Sequence, residues 1–151
     1  MKAIIQRVDN AEVYADGAFS GKVERGFCIL LGVREDDSEQ EAELLAKKTA
    51  NLRIFCDEND KMNLSLLDIG GGALVVSNFT LCADTKKGNR PSFIEAMEPT
   101  RANKLYEYYC EKLKENGVKS VETGVFGADM KINLACNGPV TIILDTDTWR
   151  K

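Results

Sequence analysis

Histidine is missing from this sequence altogether. Without an imidazole there is no Ser-His-Asp or Cys-His catalytic arrangement and no His-containing metal site, so any chemistry must run without the side chain that titrates nearest neutrality. Paired cysteines are missing too. Cys28, Cys56, Cys82, Cys110 and Cys136 stand more than twenty residues apart, with no Cys-x-x-Cys to suggest zinc or a redox dithiol. They read as free, mostly buried thiols of a reducing compartment. No cofactor or metal is expected. Long apolar runs are also absent: Met1 to Val8 already carries Lys2, Gln6 and Arg7, so neither a signal peptide nor a membrane span is read, and a cytoplasmic location is expected. Nor is there an excess of positive charge. A net charge of -4 and a pI near 5.0 argue against a protein that coats nucleic acid non-specifically.

What remains is ordinary for a soluble domain. The 151 residues, 44% hydrophobic and 29% charged, suffice for one domain, residues 1–151, burying roughly 68 to 70% of its unfolded surface. Ala3 to Val8, Ala11 to Ala15 and Ala18 to Val23 alternate or carry β-formers, with Asp16-Gly17 at a hairpin turn. Phe27 to Val33 is apolar almost without interruption, the pattern of a strand covered on both faces. Ser38-x-x-Glu41 is a capping box, and Ala42, Leu45, Ala46, Thr49 and Leu52 form the inward stripe of a helix ending near Leu52. Phe55 to Asn63 reads as a polar loop, and Gly70-Gly71-Gly72 as a flexible turn into a strand from Ala73 to Phe79. No Gly-Lys-Ser/Thr follows those glycines, so they form no P-loop. Pro99 and Thr100 open a second helix with Ala102, Leu105, Tyr106, Tyr109, Cys110 and Leu113 at helical spacing, closed by Gly117; its tyrosines read as core. Lys119 to Thr123, Met130 to Cys136 and Val140 to Leu144 read as three closing strands. The expected fold is α/β, a three-layer α/β/β arrangement of two sheets with two helices on one face, in the order β2-(βα)2-β3.

Chemistry is expected where the apolar strand through Val75 and Val76 gives way to Ser77-Asn78-Phe79-Thr80-Leu81, then to a loop carrying Lys86, Lys87, Gly88, Arg90 and Pro91. An unbroken strand would send Ser77 and Thr80 to opposite faces. Either the strand breaks near Asn78, or the pocket is built largely from backbone N–H groups where pairing stops, as suits an oxyanion hole. Lys86, Lys87, Arg90, Arg101 and Lys104 gather around this stretch, whereas Glu35, Asp36, Asp37, Glu39, Glu41 and Glu43 crowd elsewhere; a basic rim of this kind could seat a phosphate backbone. Gly138-Pro139 reads as a sharp turn between strands, trans by base rate.

Four stretches in order resemble the D-aminoacyl-tRNA deacylase family: Ser77 to Leu81, Ala83 to Phe93, Thr123-Gly124-Val125-Phe126-Gly127-Ala128-Asp129-Met130, and Asn137-Gly138-Pro139-Val140-Thr141. The likeness runs from Met1 almost to Asp145. It implies a homodimeric, cytoplasmic hydrolase that cleaves the ester between a D-amino acid and the 3' adenosine of tRNA, with mischarged glycyl-tRNA as a further substrate. It also implies a pocket formed by Ser77, Asn78, Phe79 and Thr80 with Phe126 and Met130 nearby. Gly138 and Pro139 then form a cis peptide that reaches, with help from Arg7, into the partner's pocket. Lys86, Lys87 and Arg90 are the expected tRNA contacts. The family usually has Gln where this chain has Asn78, whose amide is one methylene shorter.

An aminoacyl ester is already activated, and a neighbouring ribose hydroxyl can orient or activate water, so substrate-assisted hydrolysis needs only positioning and oxyanion stabilisation. Covalent attack by Thr80 is the sharper alternative and lacks an evident base. Cys82, close to Lys86 and Lys87, is a further candidate nucleophile if those lysines lower its pKa. Two other functions fit the same residues: an editing enzyme for a different aminoacyl group, and a non-catalytic RNA-binding module.

Overall fold

The computed structural model describes residues 1–150. Strand β1, Lys2–Ala15, is the axis of a mixed six-stranded sheet. Its second half pairs antiparallel with β2, Ala18–Val23, across the Asp16-Gly17 turn, and its first half with β3, Gly26–Gly32. Beyond β3 lie β6, Gly72–Ser77, and β7, Val121–Thr123, both parallel to their neighbours. On its other side β1 pairs along nearly its whole length with β8, Met130–Asp145. The Ser20 hydroxyl of β2 donates to the Thr123 carbonyl of β7 at 2.8 Å, so the outer strands meet and the sheet nearly closes on itself.

Strand periodicity sorts the core into two clusters. From β3 and β6, Phe27, Ile29, Leu31, Ala73 and Val75 pack with the helices, while Cys28, Leu74 and Val76 pack with Val8, Val13 and Val23 on the opposite face. The two parallel strands begin at a very close approach: a Cβ on Gly26 would lie 1.9 Å from the Gly72 carbonyl oxygen, which fixes glycine there. Helix α1, Glu39–Asn51, opens on the expected capping box and ends with Leu52 as its cap, burying Ala42, Leu45, Ala46 and Thr49. Helix α3, Pro99–Glu115, buries Ala102, Tyr106, Tyr109, Cys110 and Leu113, and Gly117 follows it at φ +106°. The helices are joined through Tyr109, whose hydroxyl donates to Thr49 Oγ1 at 2.9 Å.

Four expectations need correction. The stretch read as a loop from Phe55 to Asn63 belongs to a hairpin of β4, Arg53–Cys56, and β5, Met62–Ser65, turned by Asp57, whose carboxylate accepts from the Asn59 and Lys61 amides. A single helical turn, α2, Leu66–Ile69, precedes the glycines, and Gly70 caps it in the left-handed conformation. β6 stops at Ser77 rather than Phe79. The three closing strands are two, a short β7 and one continuous β8 that carries Gly138 and Pro139 within it. Among the described residues no helix is long and apolar enough to cross a membrane.

Candidate active site

At the end of β6 the Asn78 N–H donates to the Leu31 carbonyl at 2.8 Å, the last rung to β3. The chain then tightens into a 3-10 turn, Phe79–Cys82, with the Leu81 and Ala83 amides returning to the Asn78 and Thr80 carbonyls. Of the two alternatives left by the sequence, the strand therefore breaks. The break also frees backbone donors, because Asn78 caps the turn without a side-chain hydrogen bond. The Asn78 amide is engaged otherwise: its Oδ1 accepts the hydroxyl of Thr80.

This junction forms one wall of a cavity of about 560 Å³. Ser77, Asn78 and Phe79 line it from β6 and the turn, Phe126 from the segment between β7 and β8, and Met130 from the first position of β8, as the sequence led us to expect. Thr80 does not line it and stands exposed beside it. The lining also includes Phe93, the last residue of the Ala83 to Phe93 motif, and two residues whose role was not foreseen, Glu98 and Tyr106. Phe93 meets Phe79 edge-on at 5.1 Å between ring centroids, and Tyr106 meets Phe126 at 6.0 Å. Tyr106 is core and wall at once, its buried hydroxyl donating to the Val75 carbonyl at 2.7 Å. Burial pushes this phenol far above its ordinary pKa, so it holds its proton throughout the neutral range. The aromatic lining suits a flat heteroaromatic ring, and Ser77, Asn78 and Glu98 bring polar groups to it.

The basic residues lie on a loop pinched at its base by paired amides and carbonyls of Asp84 and Ser92. Lys86, Lys87 and Arg90 are exposed on it, outside the cavity lining. Arg101 does not belong with them, since its guanidinium pairs with Glu35 at 2.7 Å. Cys82 is buried with its thiol donating to the Val33 carbonyl at 3.4 Å, and burial raises its pKa; the nearby cations that oppose the rise are Arg34, the N-terminal ammonium of Met1 and Lys2, not Lys86 or Lys87. Cys28 and Cys110 are likewise pushed up to about 12 by burial, whereas Cys56 is half-buried and Cys136 exposed.

Gly138 and Pro139 do not line the cavity of their own chain. The peptide bond between them is cis, against the base rate, and both residues are exposed. Cys136 faces Val8 and Thr141 faces Gln6, so residues 137–140 stand against Arg7 alone and bulge from the sheet. The Arg7 guanidinium holds the base of the bulge, donating to the Ile54 carbonyl at 2.8 Å and to the Asn137 carbonyl at 3.1 Å. Gly138 has φ +125°, and a Cβ there would lie 2.8 Å from Val140 Cγ2 and 3.1 Å from Arg7 Nη2.

A family model described as D-Tyr-tRNA(Tyr) deacylase matches residues 4–145. A protein of Anaeromyxobacter dehalogenans named D-aminoacyl-tRNA deacylase is 56% identical over 146 residues, covering 97% of each chain, and one of the same name from Caldicellulosiruptor bescii is 51% identical over the same shares. Among solved structures, a c-Myc DNA unwinding element binding protein superposes with a TM-score of 0.90 at 38% identity, covering 96% of this chain and 98% of the other. A probable eukaryotic D-amino acid tRNA deacylase superposes with a TM-score of 0.80 at 14% identity over 95% and 97% of the two chains, a likeness of fold.

Proposed function

Because this chain belongs to the D-Tyr-tRNA(Tyr) deacylase family, we propose that it proofreads chirality in translation, hydrolysing the ester of D-aminoacyl-tRNA at a site completed by two copies of the chain. It is an aminoacyl ester hydrolase. The observation that carries the two-copy reading is the separation just described: the cavity is on one side of the chain and the Gly138-Pro139 bulge, exposed and rigidly based, is outside it. β8 supports the same reading. Among the described residues it pairs with β1 alone, and Leu134 and Ile143 expose 39% and 65% of their surface along it, a strand edge and an apolar face that a second copy would cover. A three-layer α/β/β stack is the finer architecture that goes with this dimer.

In this reading the terminal adenosine lies between Phe79, Phe93, Tyr106 and Phe126, and the ester sits at Ser77 and Asn78. Backbone N–H groups left free where β6 pairing stops stabilise the oxyanion, and the ribose hydroxyl of the substrate orients water. Thr80 shares its hydroxyl with Asn78 and serves that side chain rather than attacking. The partner's bulge offers backbone where an L side chain would point, so L esters are excluded by collision while D side chains and glycine pass. Lys86, Lys87 and Arg90 hold the acceptor stem by its phosphates, and the enzyme works in the cytoplasm without a cofactor.

The test is incubation of the purified protein with D-tyrosyl-, L-tyrosyl- and glycyl-tRNA while free amino acid is followed, with sedimentation to establish the dimer. Release from the D and glycyl esters only is expected. Binding of tRNA with the ester left intact would instead establish a non-catalytic RNA-binding module, and release from an L ester would point to editing of a different aminoacyl group.

A further inference from the structure

Asp9 carries the furthest inference. β1 holds one residue more than β8 between the Val8–Cys136 and Asn10–Ala135 pairs, and that extra residue is Asp9. Such a bulge turns a side chain out of the alternating pattern. Asp9 uses this freedom for a single contact: its Oδ1 accepts from Asn137 Nδ2 at 2.8 Å, and among the described residues it makes no other side-chain hydrogen bond or ion pair. Asn137 in turn offers its Oδ1 to Arg7 Nη2 at 3.2 Å, and its carbonyl to Arg7 Nε. The guanidinium is a donor only, and the carboxylate of Asp9 an acceptor only, so the amide between them has one good orientation. Flipped, it would set N–H against guanidinium and oxygen against carboxylate. We propose that Asp9 is a positioning residue for chiral selection, locking the Asn137 amide so that Arg7 stays seated against Gly138.

This inference rests on the reading that the Gly138-Pro139 bulge sets the preference for D over L substrates. The experiment measures kcat and KM for D- and L-tyrosyl-tRNA with Asp9→Ala, Asp9→Asn, Asn137→Asp, the double variant Asp9→Ala with Asn137→Asp, and Gly138→Ala, each checked for folding by thermal unfolding. Asp9→Ala is expected to lower the ratio of kcat/KM for D over L about fivefold, the worth of one net hydrogen bond. Asp9→Asn still presents an oxygen to Asn137 Nδ2 and is expected to keep the ratio within about twofold of the parent on the same scale. A carboxylate at 137 meets Arg7 in either orientation but would also face the Asp9 carboxylate where the 2.8 Å hydrogen bond now lies, so in the Asn137→Asp background Asp9→Ala removes a repulsion and is expected to raise the ratio or leave it unchanged, not to lower it. Should Asp9→Ala fail to fold, Asp9→Val, suited to a strand, takes its place. An unchanged ratio in Asp9→Ala beside a changed one in Gly138→Ala overturns the role of Asp9 alone, as does equal loss in Asp9→Ala and Asp9→Asn. An unchanged ratio in a folded Gly138→Ala overturns the reading of the bulge, and the role of Asp9 with it.

Discussion

Removing one oxygen from Tyr106 separates its two duties. The Val75 carbonyl accepts the Tyr106 hydroxyl at 2.7 Å and, more weakly, the Gly124 amide at 3.4 Å. Tyr106→Phe therefore leaves that carbonyl with its longer bond, a loss of about 1 kcal/mol for a buried neutral hydrogen bond. In a chain of this size that corresponds to about 2 to 4 °C in Tm. The ring stays, and with it the contact to Phe126 and the cavity wall. Since the hydroxyl points into the sheet and keeps its proton, chemistry should be little changed, with kcat/KM for D-tyrosyl-tRNA within about threefold, under 1 kcal/mol of transition-state stabilisation. Thermal melting and single-turnover deacylation on the same preparation read the two effects. A variant that melts with the parent but loses more than about tenfold in kcat, some 1.4 kcal/mol, would refute the reasoning and place the hydroxyl on the substrate.

Other expectations follow from particular residues. Gly138→Ala puts a side chain at φ +125°, a strain of about 1 to 3 kcal/mol; we expect a folded protein whose deacylation of the D ester is strongly lowered but still measurable and whose D-over-L ratio narrows, and parental rates would contradict the role given to the bulge. Asp145, held bidentate by Arg34 at 2.7 and 2.8 Å, has its pKa lowered to about 2 by that hydrogen-bonded pair. A depressed carboxyl stabilises the fold above its unfolded pKa and loses that contribution as pH falls toward the folded value. In urea titrations the gap between the parent and Asp145→Asn should therefore be up to about 2 kcal/mol at pH 7 and shrink between about pH 4 and 2; a gap independent of pH would count against it. Thr80→Ala and Cys82→Ala should both retain measurable hydrolysis, and a trapped acyl-enzyme on either would establish covalent attack. Replacing Lys86, Lys87 and Arg90 by Ala should weaken tRNA binding and flatten its log–log salt dependence by about 2 to 3; an unaltered slope would remove them from the interface.

Local signals were legible where one physical cause dominates. Ser38 and Glu41 announce α1 because each satisfies the other's backbone amide, and the near-continuous apolar run of β3 reflects a strand buried on both faces. The β4–β5 hairpin was hidden because its strands have four residues each, their register shifts, and its turn is held by an Asp57 side chain within a polar stretch. β8 looked like two strands because Gly138-Pro139 interrupts its pattern, although Arg7 bridges the interruption from another strand. Ser77, Asn78, Phe79, Phe126 and Met130, expected from the family resemblance, all border the cavity. Tyr106 and Glu98 were not foreseen there, since helical spacing reports only which face of α3 is buried and not that part of it borders a cavity. That Thr80 stands outside the cavity depends on the 3-10 turn, which no spacing rule signals.

The pairing of β1 with β8 also governs the order of events during synthesis. Lys2 is matched with Asp145 and Ala15 with Met130, so one side of the first strand has no mate until nearly the whole chain has emerged. β3 can join its other side early, at a separation of a few tens of residues, leaving an unsatisfied strand edge waiting on the ribosome. Closing so long a loop makes the last step slow, in the millisecond-to-second range of folds dominated by distant contacts. Chains cut short before Met130 would keep β1 open and should pair with one another, appearing as aggregates rather than as soluble fragments.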